Sequence, residues 1–298
     1  MANETDVGQA AGALGYAIGG AIVQFNKAAV MPQTINMVAC PSGSNTARIP
    51  IYTKLGISNV ETASAGAEAD SANREVVAST AKDLVVLRNH IDTLITDLSV
   101  HGNADAFLVN AGQAIGNAVA TQFDATACAL IDDFATVAGA DTTGMSMAVL
   151  FDAVANLEKN DAPRPYSCVL HPLSVWGSFG LTNELGNTAT NESKGALQGG
   201  SAVGDEMRRN GSVATLGGVA IYSSPQVVGA SDYHRGGCFA KTALGCGYID
   251  FGGGNFVQIE SQRNAVYAAT ELVANAYFAI DECIDLHGVT IKTETTTA

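Results

Sequence analysis

Apolar residues recur at three- and four-residue steps through the middle of the chain. Ile115, Val119, Phe123, Ala127, Leu130, Ile131 and Phe134 predict one amphipathic helix from Ala104 to about Thr136. At 1.5 Å per residue it would measure roughly 50 Å. Its stripe is narrow, and its small residues allow close backbone approach; Gly112 and Gly116 are expected to soften its first half. The segment 145–160, MSMAVLFDAVANLEKN, shows the same period. It puts Met147, Leu150, Phe151, Val154 and Leu157 on one face, with Ser146 or Thr143 placed to cap it.

Elsewhere the period is two. ARIPIYTKLGIS (47–58) and STAKDLVVLRNH (79–90) read as strands, joined by NVETASAGAEADSANREVVA, which has almost nothing to bury. So long a connection is uncommon in a compact domain unless it is functional, and a lone two-stranded ribbon is marginal in water. The surface of another subunit is its expected support. PRPYSCVLHPLSVWGSFG reads as a buried strand ending at Pro172, which can start a short helix. Residues 183–212 read as a loop, and 212–224 as a hairpin-like pair about Gly217-Gly218. Strands follow at 237–245, 256–262 and 288–294. Between the last two, alternation of Leu272, Ala274, Ala276, Phe278 and Ile280 favours strand over helix. The fold class is α+β.

The glycine cluster in KTALGCGYIDFGGGNFVQIESQRNA (241–265) raises the question of a phosphate cradle. A dinucleotide fingerprint needs a third glycine where Asp250 stands, and it must open a helix. Here NFVQIES alternates like a strand. The glycines are therefore expected to be architectural, joining two strands by a turn. Catalytic signals are thin as well. The histidines 90, 101, 171, 234 and 287 are scattered, and PSGSN (41–45) is a turn. Asp132-Asp133 and Asp281-Glu282 read as solvated surface, and Trp176 as a core or interface anchor. No enzyme activity, cofactor or metal is expected.

Hydrophobic residues make up 47% of the chain, enough for a real core, while charged residues make up only 15%. A weakly charged, small-residue-rich surface suits a protein whose faces meet copies of itself. The formal charge is −14 and no basic stripe exists, which argues against sequence-reading nucleic-acid binding. The six cysteines form no C-x-x-C pair and sit among apolar neighbours, as buried free thiols do. AAGALGYAIGGAIV (10–23) follows Glu4 and Asp6, is too short to span a bilayer, and reads as an arm that needs something to lie against.

In order, an N-terminal arm, a long polar hairpin, a long helix and then LFDAVANLEKNDAPRPYSCVLHPLSVWGSFG resemble the major capsid proteins of tailed bacteriophages, which share the Hong Kong 97-type capsid fold. The segments GGVAIYSSPQV, CFAKTALGCGYIDF, VQIESQRNA and HGVTIKTE are similar to that family's return to its peripheral sheet. The resemblance implies an N-arm at 1–45 and an extended loop at 46–90. It implies a peripheral domain with a spine helix at 91–144, completed by 236–298, and an axial domain at 145–235.

It also implies self-assembly into hexamers and pentamers of an icosahedral head, enclosing double-stranded DNA without sequence-specific binding. The virion would be assembled in the host bacterial cytoplasm, with a portal and no membrane. Because about 45 residues precede the hairpin, a separate scaffolding protein is expected. The loop from Leu55 to Ala81 has no lysine, Lys54 and Lys82 lying toward its base, so covalent crosslinking is not expected. Glu61, Glu68, Asp70, Arg74 and Glu75 are the candidate inter-subunit residues at its tip, with Arg208, Arg209 and Arg263 as basic counterparts. The alternatives are an encapsulin-type nanocompartment shell and, from another class, a soluble α/β enzyme using the glycines of 245–254.

Overall fold

In the computed structural model, residues 21, 24–25, 28–52, 79–181, 214–216, 218–252 and 256–295 are described. The strands are β1 (Asn36–Ala39), β2 (Thr46–Tyr52), β3 (Ser79–Val85), β4 (Leu87–Thr96), β5 (Val137–Gly139), β6 (Tyr166–Leu170) and β7 (Ala214–Leu216). They continue with β8 (Val219–Ser223), β9 (Tyr233–Ala240), β10 (Leu244–Tyr248), β11 (Val257–Asn264), β12 (Ala269–Glu282) and β13 (Gly288–Glu294). Helices α1 (Asp97–Ile131), α2 (Met147–Lys159) and α3 (Pro172–Trp176) lie among them. The strands make a five-stranded, a six-stranded and a two-stranded sheet.

The five-stranded sheet is built on β12, where the alternation read from sequence holds: Leu272, Ala274, Ala276 and Phe278 are buried. Strand β4 pairs with one edge of β12 over ten residues. Both β10 and β11 pair with the other edge, Tyr248 opposite Phe278 and Val257 opposite Ala276. Between these pairs the carbonyl of Tyr277 accepts from the Ile249 N–H (3.2 Å), and the Tyr277 N–H donates to the Phe256 carbonyl (3.3 Å). The glycine-rich stretch is thus not the turn of a hairpin. It is an excursion from one line of strand, leaving after Ile249 and rejoining at Phe256.

Helix α1 covers one face of this sheet, burying Ile115, Val119, Phe123, Ala127 and Ile131 as its pattern requires. It starts at Asp97 and stops at Ile131, so Phe134 is buried beyond its end. Phe123 sits among the rings of Phe25, Phe256 and Phe278, at 6.3, 5.5 and 5.0 Å. Gly116 leaves the helix unbroken. Its missing side chain instead makes room for the backbone of Ala21, since a Cβ there would strike the Ala21 carbonyl. Gln24 donates to Asn117 (2.8 Å) beside this contact. The buried Asp124 carboxylate takes the N–H groups of Val30 and Met31, each at 3.0 Å. Ala21, Gln24, Val30 and Met31 therefore lie against α1.

The six-stranded sheet runs β5-β13-β9-β6-β8-β7. Helix α2 buries Leu150, Ala153 and Leu157 against it, and Ser146 caps α2 by accepting from the Val149 N–H (3.3 Å). Phe151, which the periodicity put on the buried face, is instead exposed, because the contact is centred on 150, 153 and 157. Trp176 ends α3 and is 53% exposed, so it is not a core residue. The segment 237–245 is not one strand. Residues 241–243 carry the chain from β9 in this sheet to β10 in the other. The position 235/236 lies inside β9, which pairs with β13, and β13 also pairs with β5. Among the described residues, no helix is long and apolar enough to cross a membrane.

Candidate functional site

Strands β2 and β3 form the two-stranded sheet, in register from Thr46 opposite Val85 to Tyr52 opposite Ser79. Its base lies on the face of the five-stranded sheet opposite α1. Ala47, Ile49 and Leu84 are buried there, with Val38, Cys40, Ala279 and Cys283 packed around them. What lets this ribbon sit so close is the pair of glycines in β10. A Cβ on Gly245 would strike the Ile49 side chain and come within 2.6 Å of Cys283 Sγ. One on Gly247 would lie 2.6 Å from Ala47 Cβ and 3.2 Å from Leu84 Cβ. Glycine inside a strand commonly marks such close approach. The G-C-G of β10 is a floor for the hairpin base, and the phosphate-cradle reading has no helix N-terminus to use.

Polar contacts steer the same base. Lys82 Nζ lies 2.9 Å from Asp281 Oδ2, tying β3 to β12, and the hydrogen bond to Asp281 raises the Lys82 pKa. Asp281 is therefore paired, although sequence alone read it as solvated. Arg48 makes two hydrogen bonds to Asp83 across the strands, at 2.8 and 3.2 Å. Pro50 lies within β2 opposite Ala81. A proline is tolerated on an edge strand and denies that edge a ladder donor, which discourages further strand addition.

The expected inter-subunit residues Glu61, Glu68, Asp70, Arg74 and Glu75 lie outside the described residues. So do Arg208 and Arg209, whereas Arg263 is on β11. The seat formed by Ala47, Ile49, Leu84 and Lys82 was not singled out from sequence, whereas Gly245 and Gly247 were expected to be architectural and are what the hairpin base packs on. The signal for them was Gly-x-Gly inside an apolar strand, a sign of packing rather than of ligand binding.

Titratable groups elsewhere are engaged structurally. Arg235 bridges Asp132 (3.1 Å) and Asp141 (3.0 Å) and lies 4.8 Å over the Tyr233 ring, so Asp132 is not simply solvated. Burial pushes the thiols of Cys128 and Cys246 up to about 12, which keeps them protonated at neutral pH. A cleft of about 330 Å³ between α1 and the β4–β12 pair is lined by Asn89, His90, Ile91, Val119, Gln122 and Phe278. Its lining is mainly apolar and amide. Among the described residues, no group of three or more His, Cys, Asp or Glu side chains could hold a metal ion.

The arrangement of sheets, long helix and rooted hairpin is the fold of phage capsid proteins. The capsid chain of Ralstonia phage GP4 superposes with a TM-score of 0.67 at 12% identity, covering 88% of this chain and 87% of that one. That of Cyanophage P-SCSP1u gives 0.58 at 16% identity, covering 89% and 88%. The holo-SrpI encapsulin complex of Synechococcus elongatus gives 0.58 at 10% identity, covering 90% and 88%. No protein-family model matches the sequence. No curated protein matches it either.

Proposed function

We propose that this chain is a major capsid protein of a tailed bacteriophage, self-assembling into hexamers and pentamers of an icosahedral head around double-stranded DNA. The observation that carries this reading is likeness of fold over nearly the whole of both chains, 88% and 87% for the Ralstonia phage capsid. The hairpin adds a physical reason. Its base is fixed on a glycine floor, and between 61 and 75 the connection carries no apolar side chain larger than alanine. Such a ribbon gains its support from a neighbouring copy. The tip residues Glu61, Glu68, Asp70, Arg74 and Glu75 are its contact set. In the same reading 1–45 is the N-arm, 46–90 the extended loop, and 91–144 with 236–298 the peripheral domain of a Hong Kong 97-type subunit. Residues 145–235 are then the axial domain, and a separate scaffolding protein and a portal take part in assembly.

A nanocompartment shell is the second reading, favoured by the encapsulin likeness and by a virus-like particle from Pyrococcus furiosus with a TM-score of 0.56. Electron microscopy of purified particles, with assay of their nucleic acid, separates the two. Heads holding double-stranded DNA support the capsid reading. Tail-less shells holding protein cargo support the compartment, and a particle-free monomer or dimer overturns both. Deleting 60–75 should leave a folded subunit that forms no stable shells. Shells that assemble and withstand heating like wild type would remove the hairpin from the assembly role.

A further inference from the structure

Two imidazoles lie face to face beside α3. The rings of His171 and His234 are 3.5 Å apart with their planes within 9°. Each also holds structure through Nδ1. His171 Nδ1 accepts from the Leu173 N–H (3.2 Å) and so caps α3. His234 Nδ1 lies 2.6 Å from Thr295 Oγ1, and the His234 carbonyl accepts from Thr293 Oγ1 (3.1 Å). Thr293 Oγ1 is in turn 2.8 Å from Ser174 Oγ, inside α3, and both of these residues are buried. One polar chain thus ties α3 to β9 and to the end of β13, and the stacked rings close it.

Accepting at Nδ1 requires His171 to be neutral, with its proton on Nε2. Protonation places an N–H at Nδ1, facing the Leu173 N–H that it had capped. Charging both rings sets like charges 3.5 Å apart. The charged residues nearby do not offset this. Asp232, two residues before His234, accepts from the Ser231 hydroxyl (2.9 Å), and Arg235, just after it, is held by Asp132 and Asp141. Lys292 and Glu294 flank Thr293 on β13, and strand alternation turns them, with Tyr233 and Arg235, to the other face. Helix α3 contributes no further titratable side chain, and Gly229 bridges His234 from the 224–230 segment.

We propose that the His171–His234 stack is an acid-opened latch: neutral rings fasten α3 to β9 and the C-terminal strand, and protonation releases α3 with the segment leading to residue 181. Burial and the neighbouring His234 lower His171 to about 4, and burial lowers His234. A base whose pKa is lower when fastened binds its proton better when released. The latch is therefore whole above the ordinary histidine value near 6.5 and weakens as pH falls from there toward about 4.

Hydrogen exchange of the full chain, followed by mass spectrometry from pH 7.5 to 4.5 and divided by intrinsic rates, tests this. Protection of 171–181 should fall below pH 6.5 by up to about tenfold per pH unit for each of the two histidines that takes up a proton on release, while α2 holds steady. His171→Asn keeps a capping side chain that does not titrate, and should abolish most of the response while leaving neutral-pH protection within about threefold. His234→Gln removes the second charge and should blunt the response if the first variant fails to fold. Wild-type protection that is flat across the range, or a response undiminished in the folded variants, overturns the proposal.

Discussion

Two antiparallel hairpins in this chain are supported in opposite ways. Strands β11 and β12 are joined by a short turn at 265–268, flanked by β4, and backed by α1 through Leu272, Ala274, Ala276 and Phe278. Strands β2 and β3 stand as a sheet of two, and their buried side chains are Ala47, Ile49 and Leu84. Burying one Ile and one Leu contributes roughly 3–6 kcal/mol before the entropy of ordering both strands is subtracted. The first hairpin is part of what stabilises the subunit. The second is carried by the subunit and positioned by it. In the capsid reading proposed above, a ribbon rooted so closely but given so little core takes its remaining contacts from a neighbouring copy.

The sharpest test of this contrast compares truncations in the two places. Phe123→Ala, beneath the β11–β12 side, removes a fully buried ring packed against Phe25, Phe256 and Phe278, and should cost about 3–5 kcal/mol in urea denaturation. Leu84→Ala in the hairpin root should cost clearly less, because a ribbon of two strands can shift to refill the space. Equal losses would mean that the hairpin root belongs to the main core.

The glycine floor comes next in size. Gly247→Val would push against Ala47 and Leu84 and should cost about 1–3 kcal/mol as an overpacked site. It should also free β2–β3 for protease cleavage at 46–52 and 79–85 while α1 and β12 stay protected. Gly252→Ala is the control, in a place with open space but a φ of +123°. It should cost about 1 kcal/mol from backbone strain and leave the hairpin protected. If Gly247→Val leaves the protease pattern unchanged, the close approach does not hold the hairpin.

A smaller effect belongs to Lys82. Its side chain and that of Asp281 are 39% and 44% exposed, and pairs so exposed are worth less than about 1 kcal/mol. Lys82→Met should therefore lower stability only slightly, and high salt should erase the difference. A loss several times larger would make the ion pair, rather than the glycines, the anchor of the root.

What could be read from sequence follows the range of the physics involved. The α1 stripe and the β12 alternation are local periodicities enforced by one buried face, and both were legible. The break at 241–243 was not, since Lys241-Thr242-Ala243 carries no Gly or Pro signal and apolar residues continue on both sides. The collinear placing of β10 and β11 was hidden too, because an interrupted strand and a hairpin share the same pattern of strand, glycines, strand. Gly245 and Gly247 were legible as architectural. What they make room for depends on Ile49 and Leu84, which lie far away in sequence. Phe151 misleads for the converse reason: a large apolar residue on a surface looks like core in a single sequence. For Trp176 the exposure removes the core reading and leaves that of an interface anchor.

The least effect on stability, and the finest probe of the second hairpin, is expected at its tip. Glu61, Glu68, Asp70 and Glu75 stand there against Arg74, so the tip is net acidic. If the tip rests on a neighbouring copy, that surface should offer basic groups, and Arg208, Arg209 and Arg263 are the counterparts to test. Each exposed pair contributes well under about 1 kcal/mol and is screened by salt. In a closed shell, however, every subunit repeats the same contact, so small terms shift the assembly equilibrium. Replacing Glu61, Glu68 and Glu75 together by Gln should leave the denaturation curve of the subunit unchanged. It should weaken assembly at low salt and flatten the salt dependence of light scattering. Assembly that responds to salt like wild type would show that the tip docks by shape and backbone hydrogen bonds, and the comparison would then rest on the glycine floor alone.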